Sequence, residues 1–355
     1  MEEDEALEIS SESSPLHFAA RGGDIEKMRQ LLAANQIHVN GQYGNFGTPL
    51  HAAVSHGQLD AINLLLSHSA DPEARAPDPD GNPQYDVLTF AARHGQSGAI
   101  KEFVGADVDC STRTCESLGL GSGPPRKVKE RQLGLTALEV AANWGHRDTV
   151  LDLLQCHGWS EKDKESALHH AATRWHAKVV EVLLENLDFS SDVLGKILID
   201  AAGPKREEYD ELFDGIEYSE LDSAEHVRML TALLAAGADL NYQLENTGKV
   251  AIHSAARIPE TTNGLELLLQ KGAHVDAQDL RGQTALHVAI RENEPGTQLL
   301  LRNGASPLTE NDHGDPHSSV PRQRLDLRTT STLCRLEQPS RSKSPASRCR
   351  KWPKR

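Results

Sequence analysis

The amino-acid sequence predicts an all-α repeat solenoid, and three observations support this fold class. The phrase Thr48-Pro49-Leu50-His51 recurs in altered form along the chain, each time ahead of small residues. Its leucine position returns after 34, 38, 50, 30, 30, 54 and 34 residues. Paired alanines such as Ala19-Ala20 follow the phrase, and a second apolar stripe comes after them. Repetition at a period of about 20–50 residues indicates stacked units, not independent globular domains.

Each part of the repeated unit has a physical role. A threonine such as Thr284 can cap the following helix through its hydroxyl, and proline fits the first helical turn. Paired alanines allow neighbouring helices to approach closely. A glycine such as Gly145 suits the left-handed end of the first helix. The apolar stripe of 179–184 then predicts a second amphipathic helix, which ends near a Gly-Ala-Asp or Gly-Ala-His sequence.

These residues resemble the ankyrin repeat, which implies a turn, two antiparallel helices and a projecting finger in each unit. The resemblance covers about eight units over residues 14–308. Units two and eight match best, whereas unit three has lost its Thr-Pro and histidine, and unit six keeps mainly Ala201-Ala202 and its second helix. Trp175 and Pro259 stand where units five and seven would have the interhelical glycine. A single unit cannot bury its own apolar face, so we expect stacking to supply the stability.

The chain therefore divides into an acidic N-terminus (1–13), the array (14–308) and a basic tail (309–355). Two insertions interrupt the array. Residues 110–131 are rich in Gly and Pro and read as a surface loop. Residues 203–224 mix eight carboxylates with large apolar side chains, which is typical either of a segment that docks on other proteins or of a helical excursion packed on the array. The tail begins like the finger of a ninth repeat, so we expect the array to be truncated there.

Composition and charge exclude several classes of protein. No apolar run approaches the roughly 20 residues that span a bilayer, and the acidic N-terminus is no secretory signal. The five cysteines form no CxxC motif and read as reduced thiols of an intracellular protein, placed in the cytoplasm, the nucleus or both. The net charge of −15 divides into −22 over residues 1–310 and +7 over residues 311–355. Such an acidic array disfavours direct nucleic-acid binding.

The sequence offers no catalytic or cofactor motif. HExxH, CxxC, GxSxG and a phosphate-binding P-loop are all absent. The resemblance implies that the histidines at the repeat's own histidine position make structural hydrogen bonds; they are His17, His51, His169, His253 and His287. We therefore expect no enzyme, no cofactor and no metal site.

The candidate binding residues follow from the resemblance as well. In ankyrin arrays the two positions before the interhelical glycine line a concave groove and contact partners. Several of these positions carry arginine or an aromatic residue here, and we select as partner-binding residues Arg93, His94, Asn143, Trp144, Arg174, Arg257 and Arg291. Arginine forks onto carboxylates or phosphates, which predicts an acidic or phosphorylated protein partner. The alternative is that arginine is simply frequent at this position in the family.

The function predicted from the sequence is a non-catalytic scaffold for protein–protein interaction. Ankyrin arrays serve elsewhere as transcription co-regulators, some fungal chains of similarly irregular layout among them, and the basic tail fits that role. The alternative is an adaptor for protein degradation or a pathogen effector. An enzyme is the interpretation with the least support, because no convergent cluster of titratable residues can be read from the sequence.

Overall fold

A computed structural model describes residues 14–34, 37–42, 47–76, 85–105, 135–156, 158–203 and 223–312. Within these residues the chain forms sixteen α-helices, one 3₁₀ turn and one short β-hairpin. The helices are α1 (Pro15–Gly22), α2 (Ile25–Ala33), α3 (Pro49–Ser55), α4 (Leu59–Ser67), α5 (Val87–Arg93), α6 (Ser97–Gly105), α7 (Ala137–Asn143), α8 (Arg147–Leu153), α9 (Glu161–Thr173), α10 (Ala177–Asn186), α11 (Ser191–Ala202), α12 (Ser223–Ala235), α13 (Ala251–Ala255), α14 (Thr262–Gln270), α15 (Ala285–Glu292) and α16 (Glu294–Arg302). The hairpin pairs β1 (Arg75–Ala76) with β2 (Tyr85–Asp86) in antiparallel register.

The helices form two layers that run the length of the array. The odd-numbered helices are the first helices of their units, and each packs on the next odd-numbered helix to make the inner layer. The even-numbered helices pack on one another in the same way to make the outer layer. The predicted all-α repeat solenoid is therefore confirmed.

The core of the array is built from the leucine position of the repeated phrase. Each of its eight residues is at most 1% exposed: Leu16, Leu50, Leu88, Leu138, Leu168, Leu198, Ile252 and Leu286. The paired alanines beside them are equally buried, so adjacent inner helices meet across small side chains. Burial of these apolar surfaces between units is the main source of stability in a stacked array.

The histidine of the repeated phrase links one unit to the next. In unit one, the Ser14 hydroxyl lies 2.8 Å from His17 Nδ1, and His17 Nε2 lies 2.9 Å from the Gly47 carbonyl of unit two. His253 repeats the arrangement, because its Nδ1 accepts from the Val250 N–H and its Nε2 donates to the Gln283 carbonyl. Both ring nitrogens are thus used for structure, as the family resemblance implies.

His169 also bonds the neighbouring unit, as expected, but with a different partner from that of His17 and His253. Helix α9 begins a turn and a half before the repeated phrase, where Ser160 and Asp163 form the capping box instead. His169 therefore lies inside the helix, and its Nε2 is 3.2 Å from the Asp200 carboxylate on α11. A longer helix moves the capping function upstream and leaves His169 facing the neighbouring unit.

The fingers, which are the loops joining an outer helix to the next inner helix, are hydrogen-bonded to one another. In three places a backbone N–H donates to a side-chain oxygen one unit earlier: Asp71 to Asn40, His274 to Asn241, and Ser306 to Asp276. The Asp312 N–H also donates to the Arg281 carbonyl, so residues 305–312 pack as a further finger. The fingers are thereby held in a row beside the inner helices.

Trp175 occupies a position where four other units have glycine. Its φ of +59° lies in the left-handed region, which L side chains other than glycine rarely adopt. The ring is 5% exposed, donates from Nε1 to the Ala201 carbonyl and stacks on His226 with ring centroids 4.2 Å apart. Packing against unit six offsets the backbone strain. At the corresponding point of unit seven, Pro259 begins the 3₁₀ turn Pro259–Thr261.

The prediction that all five cysteines are reduced thiols is wrong at one position. Cys156, at the end of α8, is disulfide-bonded, so it is not a reduced thiol. All the other cysteines lie outside the described residues. Sequence alone gives no distance between distant cysteines, and this pairing removes the cysteine-based argument for an intracellular location.

Several predicted segments lie outside the described residues. They are the acidic N-terminus 1–13, the insertion 110–131, residues 204–222 of the second insertion and the tail from residue 313. Among the helices that are described, none is long and apolar enough to cross a membrane.

We expect His226 to make the array sensitive to acid. Burial lowers the pKa of His226 to about 4 from an ordinary value of 6.5, although its bond to the Ala201 carbonyl acts in the opposite direction. In the unfolded chain His226 therefore becomes protonated near pH 6.5, whereas in the folded chain it becomes protonated only near pH 4. The free energy of unfolding therefore keeps its full value above about pH 6.5. It falls as the pH drops from 6.5 towards 4, and the loss at pH 5 is about 2 kcal/mol.

Urea denaturation at pH 7 and pH 5 checks this, with wild type beside His226→Gln. The variant should lose about 2 kcal/mol less than wild type on acidification, whatever its stability at pH 7. An equal loss in both proteins would show that His226 does not titrate in this window.

Candidate partner-binding groove

The resemblance to ankyrin arrays predicts a concave groove between the inner helices and the row of fingers. The C-terminal ends of the inner helices are expected to form its floor. In units one to four these ends lie beside the glycine turn that starts the outer helix. Seven of these end positions were selected from the sequence as partner-binding residues. In the structure these residues fall into three groups, which differ in exposure and in the contacts they make.

The floor of the groove is positioned by hydrogen bonds between units. In units two to five, the residue after the interhelical turn donates to a carbonyl at the end of the preceding unit's inner helix. These bonds join Gln58 to Arg21 (3.3 Å), Gln96 to Ser55 (3.5 Å), His146 to Arg93 (2.8 Å) and His176 to Asn143 (3.1 Å). We call this series the carbonyl ladder. It satisfies carbonyls that a helix end leaves open and fixes the angle of each neighbouring unit.

Arg93 and Trp144 form a pair across units three and four. The Arg93 guanidinium lies 5.3 Å from the centroid of the Trp144 ring, which is cation–π geometry. Trp144 remains 47% exposed, so much of its large aromatic side chain is open to solvent. His94 is exposed beside this pair and packs its ring on Phe90 at 4.4 Å. Arg21 and His56 make a comparable contact between units one and two, with Arg21 Nε donating to His56 Nε2 at 3.1 Å.

Asn143 and Arg174 are less accessible than their neighbours. Asn143 is 7% exposed, and its carbonyl accepts the ladder bond from His176, so it offers little surface to a partner. Arg174 is half-buried, and burial lowers the pKa of its guanidinium. Burial also lowers the pKa of the nearby His170 to about 4, assisted by His169 and Arg174. The partly buried Arg174 cation thus lies near His170, which its lowered pKa keeps neutral at pH 7.

Arg257 and Arg291 line a cleft at the C-terminal end of the groove. We call it the C-terminal cleft; its volume is about 680 Å³. Helices α11, α13 and α15 form one side, and the fingers 239–250 and 273–284 form the other. The polar groups that line it include Asp200, Lys249, Arg257, Arg281 and Arg291.

Sequence reasoning missed three of these five groups. Lys249 and Arg281 belong to fingers, where the repeat pattern leaves the residue type open, and Asp200 belongs to the degenerate unit six. A weak signal was present, because Lys249 lies one residue and Arg281 three residues before the repeated phrase in consecutive units. Among the described residues, no group of three or more His, Cys, Asp or Glu side chains is arranged to hold a metal ion.

Comparison with known proteins identifies the repeated unit. A family model described as ankyrin repeats (3 copies) matches residues 2–76, 88–194 and 221–311, which is most of the chain. The recognition of an ankyrin-repeat chain from its sequence is confirmed.

The curated relatives are diverse. The E3 ubiquitin-protein ligase KEG of Arabidopsis thaliana is 24% identical over 315 residues, covering 85% of this chain and 17% of the relative. The human transient receptor potential cation channel subfamily A member 1 is 24% identical over 332 residues, with coverages of 78% and 28%. The mouse nuclear factor NF-kappa-B p105 subunit is 31% identical over 147 residues, with coverages of 41% and 14%. The chain spans less than a third of the length of each.

We expect removal of one rung of the carbonyl ladder to weaken the coupling between units. His146→Ala deletes the bond to the Arg93 carbonyl and should cost about 1–2 kcal/mol of unfolding free energy. Urea denaturation at pH 7 measures the loss. His274→Ala is the matched control, because His274 is exposed on a finger, and it should change stability by less than about 0.5 kcal/mol. Equal effects of the two variants would show that the ladder bond adds nothing to stability.

Proposed function

The chain belongs to the ankyrin-repeat family, and from this premise we propose that it is a non-catalytic scaffold that binds a protein partner along its groove and fingers. Ankyrin repeats are a protein-interaction module, and where relatives are enzymes, other parts of those proteins carry the activity. The mechanism is preorganised recognition: stacked units and bonded fingers hold the surface in place, so little conformational entropy is lost on binding.

The Arg93–Trp144 pair is the observation that carries this proposal. An aromatic ring that is 47% exposed on a concave surface and covered on one side by a guanidinium is a costly arrangement for a surface without a partner. Tryptophan and arginine are also enriched among residues that dominate binding energy at interfaces. The ladder bond from His146 to the Arg93 carbonyl holds the pair at the groove floor.

The charge distribution supports an acidic or phosphorylated partner. Arg93, Arg257 and Arg291 present guanidinium groups to the groove of an array that is otherwise strongly acidic. A partner segment of opposite charge would be attracted to this surface and repelled by the rest of the array, which favours one orientation of binding. The acidic array disfavours direct binding of nucleic acid.

Two cellular roles fit such a scaffold. We favour a transcription co-regulator, acting in the nucleus and cytoplasm, because residues 341–355 contain seven basic and no acidic residues, as nuclear address segments do. Similarity to the mouse nuclear factor subunit agrees with this choice. The second candidate is an adaptor for protein degradation, which the similarity to an E3 ubiquitin-protein ligase supports.

Groove binding is tested by affinity capture from native lysate. The bait with Arg93→Gln and Trp144→Ala should lose the partners that wild type retains, because both halves of the exposed pair are removed. The control bait carries Leu59→Ala and Arg302→Gln, an equivalent loss of one apolar side chain and one charge on the outer layer. All three must first show equal thermal melts. Partners kept by the groove variant, or lost equally from the control, would contradict binding at this surface.

The cellular role is tested by deletion of residues 341–355. A fluorescently tagged full-length chain should accumulate in the nucleus, and the deletion should shift it to the cytoplasm. Replacing the seven basic residues by glutamine is the matched control for loss of length. An unchanged distribution in both variants would remove the support for a nuclear role and leave the degradation adaptor as the better candidate.

A further inference from the structure

The C-terminal cleft differs from the rest of the groove in its charge. Four cationic side chains line it, namely Lys249, Arg257, Arg281 and Arg291, against the single carboxylate of Asp200. This carboxylate also faces His169 Nε2 at 3.2 Å. The cleft is therefore locally positive, although the whole chain has a net charge of −15.

The four cations have no ion-pair partner within the described part of the chain. Some arginines on the outer layer do have ion-pair partners. Arg228, for example, donates from Nε and Nη2 to the two carboxylate oxygens of Glu181, at 2.6 and 2.5 Å. Holding several like charges around one cavity is unfavourable unless an anion is bound there. The cleft therefore has the properties of an anion site.

The framework around the cations is rigid. His253 forms part of the wall, and both of its ring nitrogens are occupied, by the Val250 N–H and the Gln283 carbonyl. The two fingers that carry Lys249 and Arg281 are joined by the bond from the Leu280 N–H to the Thr247 carbonyl at 2.9 Å. The backbone positions that carry the four cations, on two inner-helix ends and two fingers, are thus held around one cavity before any ligand arrives.

We propose that the C-terminal cleft binds a phosphomonoester, carried as a phosphorylated side chain by the partner protein. This rests on the proposed function, because it assigns one subsite of the groove. A phosphate dianion matches several cations better than a single carboxylate does, since it supplies two charges and three acceptor oxygens. Guanidinium groups on neighbouring units, at Arg257 and Arg291, can each fork onto two of these oxygens. Lys249 and Arg281 approach from the finger side.

The probe is the peptide Gly-Gly-phosphoserine-Gly-Gly, compared with its serine and glutamate versions by calorimetry on the full chain. Wild type should bind the phosphopeptide at least about tenfold more tightly than the glutamate peptide and show no detectable binding of the serine peptide. Added phosphopeptide should raise the thermal melting temperature of wild type, as any ligand of the folded state does.

Two variants make the test specific. Arg257→Gln with Arg291→Gln should weaken phosphopeptide binding at least about tenfold, because both cations at the inner-helix ends are lost. Arg147→Gln with Arg302→Gln removes the same charge from the outer layer and should leave binding unchanged. Equal binding by both double variants would overturn the proposal, since it indicates only general attraction to basic residues. Equal binding of the glutamate peptide would also overturn it, in favour of a carboxylate site.

Failure of this proposal is distinguishable from failure of groove binding. If the phosphopeptide does not bind, while the Arg93→Gln and Trp144→Ala bait still loses its partners, the groove function stands and the subsite assignment falls. The affinity capture is also repeated with lysate that has been treated with phosphatase. Partners that need the cleft should be lost after this treatment, from wild type and the outer-layer control alike.

Discussion

The fold depends on the inability of any one helix pair to bury its own apolar face. Each unit is closed by the next, through the leucine and alanine positions of the inner layer and through the carbonyl ladder. The ladder connects the start of one outer helix to the end of the preceding unit's inner helix. Those same inner-helix ends are expected to form the floor of the groove. The backbone carbonyls at these positions therefore support stacking, while their side chains remain available for recognition.

The side chains along the groove form two chemically different regions. Around units three and four, a guanidinium and an aromatic ring already contact each other, so the surface offers a broad, preformed platform. Around units seven and eight, cations surround a cleft without an ion-pair partner among the described residues. Half-buried Arg174 and the neutral His170 lie in the array between them. A partner that uses both regions has to present an apolar or aromatic contact and an anionic group.

The fold and the stacking residues could be predicted from the sequence because their signals are local and repeated. The buried leucines and the capping phrase return at a regular spacing, and their roles follow from helix chemistry. The exceptions arise where tertiary structure overrides the local pattern. His169 has a different partner because α9 begins upstream, at a separate capping box formed by Ser160 and Asp163. Trp175 tolerates a positive φ only because unit six supplies a packing surface for its ring.

The candidate site was less predictable for the same reason. Position in the repeat does not reveal that Asn143 is nearly buried while the adjacent Trp144 is exposed, because that depends on the neighbouring units. Lys249 and Arg281 join Arg257 and Arg291 only when the fingers fold over the inner helices. The pairing of Cys156 likewise needs a three-dimensional distance.

Hydrogen–deuterium exchange of the full chain, free and bound to its captured partner, tests the central claim most directly. If the groove is the recognition surface, the partner should slow exchange at the ends of α5 and α7 and in the fingers 239–250 and 273–284, and leave the outer helices α10, α12 and α14 unchanged. Protection confined to the outer helices, with the inner-helix ends and fingers unaffected, would contradict recognition through the groove.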